Sequence, residues 1–485
     1  MPAVSQVGLG GRGPQDSPFG TAQLRRDDLD PGRSGAVAAV SPRATPERGG
    51  VIARRVRVCH VITLLEPGGA QDNTLYTVSH LDAPFIPSLV CGRGGALDDE
   101  ARRLGVPLRF VPSLVRPVRP HLDALALLSL ARLFRQERPD IVHTHSSKAG
   151  ILGRLAARLA GVSRVVHTIH GFGFHEWQRW PVRRAFIALE RLAARLTTCF
   201  IAVSRANLET GVALGLFTRD RVSLIRSGVR LAEFERAAGI GGSRDAGSTF
   251  REEIGVPRSA PLVGMVACLK PQKSPLTFVE VAARVVRDLP ETVFVLAGDG
   301  ELRGEVERRA AALDLRGSLR LLGWRRDVPR VMAALDVMLH TSLWEGLPRV
   351  LPEAIACGVP IVATGVDGTM DILRDGVTGV VRAPRDTDGL AAGVRRLLLD
   401  RDFGRRLARS ARAVLEEFDI DVMVRQQERL YLSILEEDEG KDSRSGPGRS
   451  GTAGTNNEGA GAGETPGGPL AARLSHDLTH RSSTA

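Results

Sequence analysis

The stretch VMLHTSLWEGLPRVLPEAIACGVPIVAT, residues 337–364, reads as a strand, a loop, a helix and a second strand. VMLHTS and PIVAT are short apolar runs of the kind that form buried strands. Proline is tolerated only in the first turn of a helix, so the helix must begin near Pro348 to Pro352. Gly358, followed by Pro360, marks its end. The stretch therefore predicts one βα unit of a parallel sheet.

The same alternation continues on both sides of this unit. In the first half of the chain the predicted strands are VRVCHVITLL, PSLV, VPLRFV, PDIVHTH, RVVHTIH, CFIAVS and RVSLIRS. In the second half they are PLVGMVACL, TVFVLAG, LRLLGW, VMLHTS, PIVAT and TGVVRA. Amphipathic stretches such as DALALLSLARLFRQE lie between them. The pattern predicts an α/β fold with two doubly wound, Rossmann-like domains that face a central cleft.

A polar, glycine-rich lapse after Gly228 separates the two alternations. Loops at the carboxyl ends of both sheets should line a ligand crevice between the domains. The predicted organisation is a disordered tail (1–50), an N-terminal Rossmann-like domain (51–228), a linker (229–260), a C-terminal Rossmann-like domain (261–405), C-terminal helices (406–437) and a second disordered tail (438–485).

Composition narrows the functional classes. Of the 485 residues 43% are hydrophobic and 25% charged, which is ordinary for a globular enzyme. The net charge of +11 suits nucleic acid, an anionic membrane or a phosphate-bearing substrate, but only 4% of residues are aromatic, which disfavours base stacking. Five scattered cysteines support neither disulfides nor a zinc finger, and so favour a reducing cytosol. No stretch reaches the roughly 18 apolar residues of a membrane span.

Glu345 and Glu353 are the acidic residues of the 337–364 stretch. Glu345 precedes the predicted helix and Glu353 lies in its first turn, where free N–H groups and the helix dipole favour an anion such as phosphate. Two helical carboxylates at this spacing would lie about 12 Å apart, whereas glycoside hydrolysis needs roughly 5 to 9.5 Å. Binding of hydroxyl groups is the better hypothesis, and capping of the helix by Glu353 is the alternative.

The segment EGLPRVLPEAIACGVPIVAT resembles the E-x7-E signature of retaining glycosyltransferases of family 4, which have the GT-B fold. The resemblance spans about residues 56–435 and implies that the N-terminal domain (51–228) is the acceptor domain and the C-terminal domain (261–405) the nucleotide-sugar donor domain. It implies that Glu345 holds hydroxyls of a donor sugar and that Glu353 binds the ribose. It also implies that the backbone of Gly346 and Leu347 binds the diphosphate. The family works without a bound metal, so we expect no metal or other cofactor.

The segment VACLKPQKSPL follows the first strand of the second domain. The family usually has an arginine there and a lysine five residues later. Lys273 matches the lysine, but Cys268 occupies the arginine position, and Lys270 is a candidate to compensate for it. The resemblance implies that Lys273 neutralises charge on the departing diphosphate. The alternative is a solvated loop lysine.

In the first domain, Gly68 and Gly69 follow the first strand at the position of the family's glycine-rich loop, where a side chain would block the approach of phosphate or sugar. The resemblance also favours His170, followed by Gly171, as the residue that reaches the donor sugar and the reacting centre.

Further histidines lie near His170, and read alone they would suggest a metal site. No Asp or Cys stands at ligand spacing, so we interpret them as strand-end residues, with His143 and His145 as less certain acceptor-side residues. These histidines are His143, His145, His167 and His175.

The predicted function is retaining transfer of a sugar from a nucleotide-diphosphate donor, a UDP-sugar, to a hydroxyl of a glycan or polyprenyl-diphosphate-linked acceptor. Relatives with similar HTHSSKAG and HGFGFH segments build bacterial surface polysaccharides. The alternatives are a GT-B-fold nucleotide-sugar epimerase or hydrolase, an oxidoreductase, for which no G-x-G-x-x-G follows either first strand, and a nucleic-acid-binding protein.

We expect a cytoplasmic protein that contacts the inner face of the cell membrane peripherally. The basic amphipathic stretches SKAGILGRLAARLAG and RRAFIALERLAARL would supply this contact. The alternative is that both are ordinary helices packed on the sheet.

Overall fold

A computed structural model of the chain describes residues 54–174, 178–240 and 246–444, with side chains described to residue 437. The predicted tail 1–50, His175 and the part of the second predicted tail beyond residue 444 lie outside the described residues.

The first domain is built on seven parallel strands in the order β3-β2-β1-β4-β5-β6-β7. Strands β4 and β5 are buried along their whole length, as expected of central strands covered by helices on both faces. The strands are β1 (Val56–Val61), β2 (Phe85–Cys91), β3 (Leu108–Phe110), β4 (Ile141–His145), β5 (Val165–Ile169), β6 (Cys199–Ala202) and β7 (Val222–Leu224).

Helices connect these strands and cover the sheet. Pro120 begins the longest of them, where a missing N–H is harmless, and the left-handed Arg138 ends it. The helices are α1 (Gly69–His80), α2 (Asp98–Arg103), α3 (Pro120–Glu137), α4 (Ser147–Ala160), α5 (Trp180–Ala194) and α6 (Arg205–Ala213).

The second domain contains six parallel strands in the order β10-β9-β8-β11-β12-β13. These strands are β8 (Leu262–Val266), β9 (Val293–Ala297), β10 (Leu319–Gly323), β11 (Val337–His340), β12 (Ile361–Thr364) and β13 (Val380–Arg382). In both sheets the strand order reverses beside the first strand, which places a crevice at the carboxyl ends of the neighbouring strands.

The segment 229–260, which we expected to be a linker, contains two helices, α7 (Leu231–Ala237) and α8 (Ala246–Glu253). Phe234 and Phe250 are buried among apolar side chains of the second domain. The segment therefore contributes to the core of that domain as well as joining the two sheets. The remaining helices of the domain are α9 (Pro275–Asp288), α10 (Arg303–Ala312), α11 (Val328–Ala333), α12 (Val350–Ala356), α13 (Thr369–Ile372), α14 (Thr387–Leu399) and α15 (Arg401–Ala411).

The last helix, α16 (Ile420–Arg444), follows the second domain in sequence but packs on the first. The Gln427 amide donates a hydrogen bond to Thr77 Oγ1 at 3.3 Å, and the Asp82 N–H donates to Glu428 Oε1 at 2.7 Å. The helix continues past residue 438, the expected start of the second tail. None of the helices in the described ranges is long and apolar enough to span a bilayer.

Candidate functional site

Loops from the two domains meet where β5 and β11 end. A Cβ atom on Gly346 would lie 1.8 Å from the carbonyl oxygen of His170, so only glycine fits at this position. Gly171, the residue after His170, has a φ of +149°, and a Cβ atom there would lie 3.5 Å from the Cα atom of Gly346. The predicted sugar-binding histidine and the glycine of the E-x7-E segment are thus brought together.

Glu345, the residue before Gly346, has a buried side chain. Lys273 Nζ donates to Glu345 Oε1, and the Ser342 hydroxyl donates to the same oxygen at 2.6 Å. His340 Nε2 lies 3.2 Å from it. Burial alone would raise the pKa of the Glu345 carboxyl, but Lys273 and His340 lower that pKa well below its usual value. Glu345 is therefore an ionised carboxylate whose Oε1 has three partners.

Hydrogen bonds between two loops hold Lys273 against Glu345. The Leu343 N–H donates to the carbonyl of Gln272 at 2.8 Å, and the Gln272 amide donates to the carbonyl of Trp344 at 2.9 Å. The Thr341 hydroxyl donates to the carbonyl of Lys273 at 3.0 Å. The segment 271–273, a short 3-10 helix after β8, is consequently fixed relative to the loop after β11.

A second lysine lies close to this pair. Burial and the neighbouring charge of Lys273 lower the pKa of Lys270, and Arg116 of the first domain contributes in the same direction. Cys268, at the position where the family has arginine, brings no charge of its own. Several cations therefore gather at this edge of the cleft, an arrangement that favours binding of an anion.

Glu353 lies in the first turn of α12, as predicted, and its side chain is buried. Burial raises the pKa of its carboxyl, an effect that nearby Arg349 opposes. Arg349 Nη2 pairs with Asp72 of α1 at 2.6 Å, and Asp72 also pairs with Arg230 at 2.7 Å. This chain of charges links the E-x7-E segment to the first domain.

The glycine loop of the first domain lies against the same arginine. A Cβ atom on Gly69 would lie 3.0 Å from Arg349 Cδ, and Arg349 Nη1 donates to the Gly69 carbonyl at 3.5 Å. Gly68 has an extended backbone, and a Cβ there would meet the flexible side chain of Gln71. The side chain of Arg349 would have to yield only by a few tenths of an ångström to a Cβ at Gly69, so Gly346, which meets the backbone of His170, is the glycine that the close approach of the two domains requires.

Three of the predicted strand-end histidines are buried within β4 and β5. His143 contacts the hydroxyls of Tyr431 at 2.6 Å and Thr168 at 2.7 Å. His167 Nδ1 lies 2.9 Å from the hydroxyl of Thr144. Both side chains are hydrogen-bonded parts of the sheet.

His145 belongs to a different network. Its Nε2 lies 3.1 Å from Nδ1 of His60 on β1, and its Nδ1 lies 3.1 Å from Nε2 of His170. His60, His143 and His145 each offer a ring nitrogen within 4.8 Å of the others, a spacing that a metal ion could bridge. Both ring nitrogens of His143 already have hydroxyl partners, so hydrogen bonding accounts for this residue.

Sequence analysis did not assign several residues of the site. His340 and Ser342 lie directly before Glu345, so the end of strand β11 was a usable signal for them. Asp72, Arg349 and His60 gave no such signal, because their partners come from distant segments of the chain.

Two glycosyltransferase family models match the chain. The model described as Glycosyltransferase Family 4 matches residues 67–233, and the model described as Glycosyl transferases group 1 matches residues 248–414. The UDP-Gal:α-D-GlcNAc-diphosphoundecaprenol α-1,3-galactosyltransferase of Escherichia coli is 33% identical over 389 residues, which cover 79% of this chain and 98% of that relative. The chain belongs to glycosyltransferase family 4. The predicted family is confirmed, and with it the class of enzyme, a glycosyltransferase of polysaccharide biosynthesis.

Solved structures of low sequence identity share the fold. The Anabaena protein Alr3699/HepE, crystallised with UDP and glucose, gives a TM-score of 0.67 at 22% identity, over 78% of this chain and 99% of that one. WaaG, a glycosyltransferase involved in lipopolysaccharide biosynthesis, gives a TM-score of 0.63 at 19% identity, over 76% of this chain and 98% of that one. The GT-B fold predicted for this family 4 glycosyltransferase is confirmed.

Proposed function

We propose that this glycosyltransferase moves a hexose from a UDP-sugar, with retention at the anomeric carbon, to a hydroxyl of a polyprenyl-diphosphate-linked glycan. The observation that carries the proposal is the buried pair of Lys273 and Glu345 beside Gly346, which lies against His170 of the other domain. The Escherichia coli relative is named for a UDP-galactose donor and an α-linked product. Because UDP-galactose is itself an α-glycoside, that name describes a retaining transfer.

The diphosphate of the donor would bind between the lysines and the backbone of the E-x7-E loop. Among the described residues, the N–H groups of Gly346 and Leu347 have no hydrogen-bond acceptor. Lys270 and Lys273 lie at the same edge of the sheet. Two ammonium groups and two free N–H groups suit a diphosphate, and Lys270 would then replace the charge that Cys268 does not supply.

The two glutamates would bind hydroxyl groups. Glu345 is held ionised, so its carboxylate accepts hydrogen bonds from hydroxyls of the sugar. Glu353, in the first turn of α12, would accept hydrogen bonds from the ribose hydroxyls. His170 would reach the sugar from the opposite domain, near Gly68 and Gly69 of the acceptor-domain loop.

The transfer step that suits these residues occurs on one face of the sugar. The bond from the anomeric carbon to the phosphate oxygen breaks, a bond to the acceptor oxygen forms, and the acceptor proton passes to the departing phosphate. The group that gains negative charge is the phosphate, so Lys273 and the N–H groups of Gly346 and Leu347 stabilise the transition state. Loss of one such contact costs about 3 kcal/mol, or about a hundredfold in rate.

A lipid-linked acceptor requires the cleft to work at a membrane surface, and helix α5 has a suitable face. Arg184 lies over the ring of Trp180 at 4.5 Å, which sets a cation beside an exposed apolar group. The exposed large apolar side chains of α5 are Val182, Leu189 and Leu192, which share one face at about 100° per residue, and Trp180, which lies on the opposite side of the helix.

Helix α4, the other basic stretch, does not offer a comparable face. Its Arg154 is fully buried and pairs with Glu190 of α5 at 2.6 Å. One of the two arginines that we expected at the membrane, Arg154, therefore stabilises the packing of α4 against α5, while Arg158 is exposed. We assign the proposed membrane contact to α5, which exposes more large apolar side chains.

The activity is tested by offering purified protein UDP-galactose, UDP-glucose and UDP-N-acetylglucosamine, each with and without a polyprenyl-diphosphate-linked N-acetylglucosamine. We expect one of the donors to yield a lipid-linked disaccharide. An α-glycosidase should cleave this product, which shows its α-linkage, and the variant Glu345→Gln should not form it. Conversion of the UDP-sugar without acceptor would instead favour the epimerase or hydrolase. A β-linked product would contradict retention.

The membrane contact is tested by sedimentation with vesicles of phosphatidylglycerol. We expect the double variant Leu189→Ser/Leu192→Ser to bind about tenfold more weakly, because apolar burial adds to electrostatic attraction at the bilayer surface. Leu399→Ser, which replaces a more exposed leucine in the second domain, is the control and should bind normally. Equal binding by all three proteins would exclude α5 as the contact.

A further inference from the structure

Three imidazoles form a continuous hydrogen-bonded chain from the core of the first domain to the site. His60 Nδ1 contacts His145 Nε2, and His145 Nδ1 contacts His170 Nε2, both at 3.1 Å. His60 and His145 lie on neighbouring strands β1 and β4, and His170 follows β5, the next strand in the sheet. Strand order, not sequence proximity, creates this chain.

The two ends of the chain are unpartnered. Nε2 of His60 and Nδ1 of His170 are buried and have no hydrogen-bond partner among the described residues. All four inner nitrogens are paired. A buried polar atom without a partner is rare in proteins, so the one at the domain interface calls for a ligand atom.

All three rings are neutral in the folded protein. Burial lowers the pKa of His60 to about 3. Burial, together with the charge of Arg349, lowers the pKa of His170 to about 4. The pKa of His145 falls well below its usual value through burial and through the neighbouring histidines. A neutral imidazole has one N–H donor and one acceptor nitrogen.

Neutrality couples the tautomers of the three rings. Each contact needs one donor and one acceptor, so only two arrangements satisfy both contacts. In the first, His60 and His145 carry their protons on Nδ1 and donate toward His170, which must then carry its own proton on Nδ1. In the second, every proton is on Nε2, and His170 Nδ1 is an acceptor. The proton position on His60 thereby decides what His170 offers at the site.

We propose that His60 and His145 are positioning residues that hold His170 in the Nδ1–H tautomer, so that it presents an N–H donor to the donor sugar or its leaving phosphate. The proposal rests on the function proposed above for His170. A bound donor molecule selects this arrangement. An oxygen that accepts from His170 Nδ1 leaves only an acceptor, Nε2 of His60, without a partner, whereas the second arrangement always leaves a buried N–H on His60 without an acceptor. With the proton of His60 on Nδ1, its Nε2 is an acceptor only.

His143 provides a matched comparison. It lies on the same strand as His145, it is equally buried, and its ring centroid is 4.2 Å from that of His145. Its nitrogens contact Tyr431 and Thr168 instead of a histidine. Replacing His143 therefore disturbs the same region without interrupting the chain.

The first test is ¹⁵N NMR on the full chain labelled in the histidine rings and saturated with UDP-galactose. Signals of His170 are assigned by their loss in His170→Gln. We expect Nδ1 of His170 to be protonated in the wild type and in His143→Gln, and to lose that preference in His145→Gln. Protonation at Nε2 in the wild type, or an unchanged tautomer in His145→Gln, would overturn the proposal. One bound equivalent of metal lost in His60→Gln and His143→Gln would also overturn it.

The second test separates positioning from folding. The side-chain amide nitrogen of asparagine reaches the position of Nδ1, whereas that of glutamine reaches the position of Nε2. His145→Asn should keep the bond to His170 and retain kcat within about threefold. His145→Gln should lower kcat about tenfold with the KM for the UDP-sugar within about twofold, as expected for loss of an orienting partner. Equal losses in both variants would overturn the proposal.

The experiments distinguish a failure of the proposed function from a failure of the positioning role of His60 and His145. If the wild type transfers no sugar to any acceptor, the proposed function fails, while the NMR result still decides the tautomer. If the wild type transfers sugar and the tautomer is insensitive to His145, only the positioning role fails.

Discussion

The ammonium group of Lys273 pairs with the carboxylate of Glu345, 72 residues further along the chain. Lys273 lies in the segment that follows β8, and Glu345 lies in the loop that follows the neighbouring strand β11. The side chain of Lys273 is only 19% exposed and that of Glu345 only 5%. A bound donor would offer each a further partner, phosphate for the ammonium group and sugar hydroxyls for the carboxylate. Without donor, each neutralises the other, and the loss of either leaves a buried charge.

The first prediction concerns the two members of this pair. Lys273→Ala and Glu345→Ala should each lower transfer at least about a hundredfold, since each removes a contact to the donor. Each should also destabilise the fold, by about 3 kcal/mol, because one charge stays buried without its partner. Steady-state transfer and urea unfolding measure the two effects.

The matched variant Lys273→Met/Glu345→Gln removes both charges while nearly preserving volume. It should unfold at a urea concentration closer to that of the wild type than either single variant, yet remain inactive. Near-normal turnover in both single variants would reject the site assignment.

A second prediction separates the two interpretations of Glu353. If its carboxylate binds ribose, Glu353→Gln should raise the KM for the UDP-sugar about tenfold with little change in kcat, because the interaction is equal in ground and transition states. If it only caps α12, stability should fall while KM stays the same. Initial rates over a range of donor concentrations, with thermal unfolding as the control, decide between them.

The third prediction is a loss of stability in mild acid. Burial lowers the pKa of each histidine in the cluster, to about 3 for His60. Below the unfolded value of about 6.5 the unfolded chain binds protons that the folded chain does not, so stability should fall as pH decreases from 6.5. Each such histidine contributes up to about 1.4 kcal/mol per pH unit. The other members are His143, His145, His167 and His170.

Urea unfolding at pH 7.5, 6 and 5 measures this slope. The variant His143→Gln should show a shallower dependence of unfolding free energy on pH, with a slope that corresponds to up to one fewer bound proton. Equal stability at pH 7.5 and 5 would mean that these rings are not buried in the neutral form.

The fourth prediction addresses the contact between α1 and the E-x7-E segment. Asp72 pairs with Arg349 and Arg230, so Asp72→Asn should weaken closure of the cleft by about 2 kcal/mol, a typical value for hydrogen bonds between charged groups. Hydrogen exchange should then become faster in both α1 and α12. Asp421→Ala on α16, which removes the hydrogen-bond acceptor of Tyr76, one turn after Asp72 on α1, is the control. Unchanged exchange in Asp72→Asn would show that the ion pairs do not hold the domains together.

The fifth prediction is that transfer persists in EDTA. In the proposed site, Lys273 and Lys270 would neutralise the charge of the leaving diphosphate and the N–H groups of Gly346 and Leu347 would donate hydrogen bonds to it. Assays with and without EDTA, and after addition of Mg²⁺ or Zn²⁺, should give equal rates. A strict metal requirement would direct attention to the cluster of His60, His143 and His145.

Local sequence patterns were sufficient for the strands and the signature loop. Each expected strand is a β-branched or apolar run flanked by turn residues, and the prolines beside Glu353 fix where α12 begins. The segment 229–260 was harder to interpret, because its few apolar residues are dispersed among glycines and charges. Phe234 and Phe250 nevertheless anchor it in the second domain.

Contacts between distant segments could not be predicted in the same way. His60 meets His145 because β1 lies beside β4 in the sheet, and Tyr431 meets His143 because α16 returns to the first domain. Asp72 meets Arg349 only where the domains touch. Strand order and the path of the last helix are tertiary properties that composition and periodicity do not encode.

The central claim, that the pocket between the two domains binds a nucleotide-sugar through its diphosphate, is tested most directly by a crystal structure with a UDP-hexose bound. We expect the diphosphate on Lys273 and on the N–H groups of Gly346 and Leu347, the sugar hydroxyls on Glu345, and the ribose on Glu353. A ligand bound elsewhere, or bound with both glutamates turned away from it, would contradict the claim.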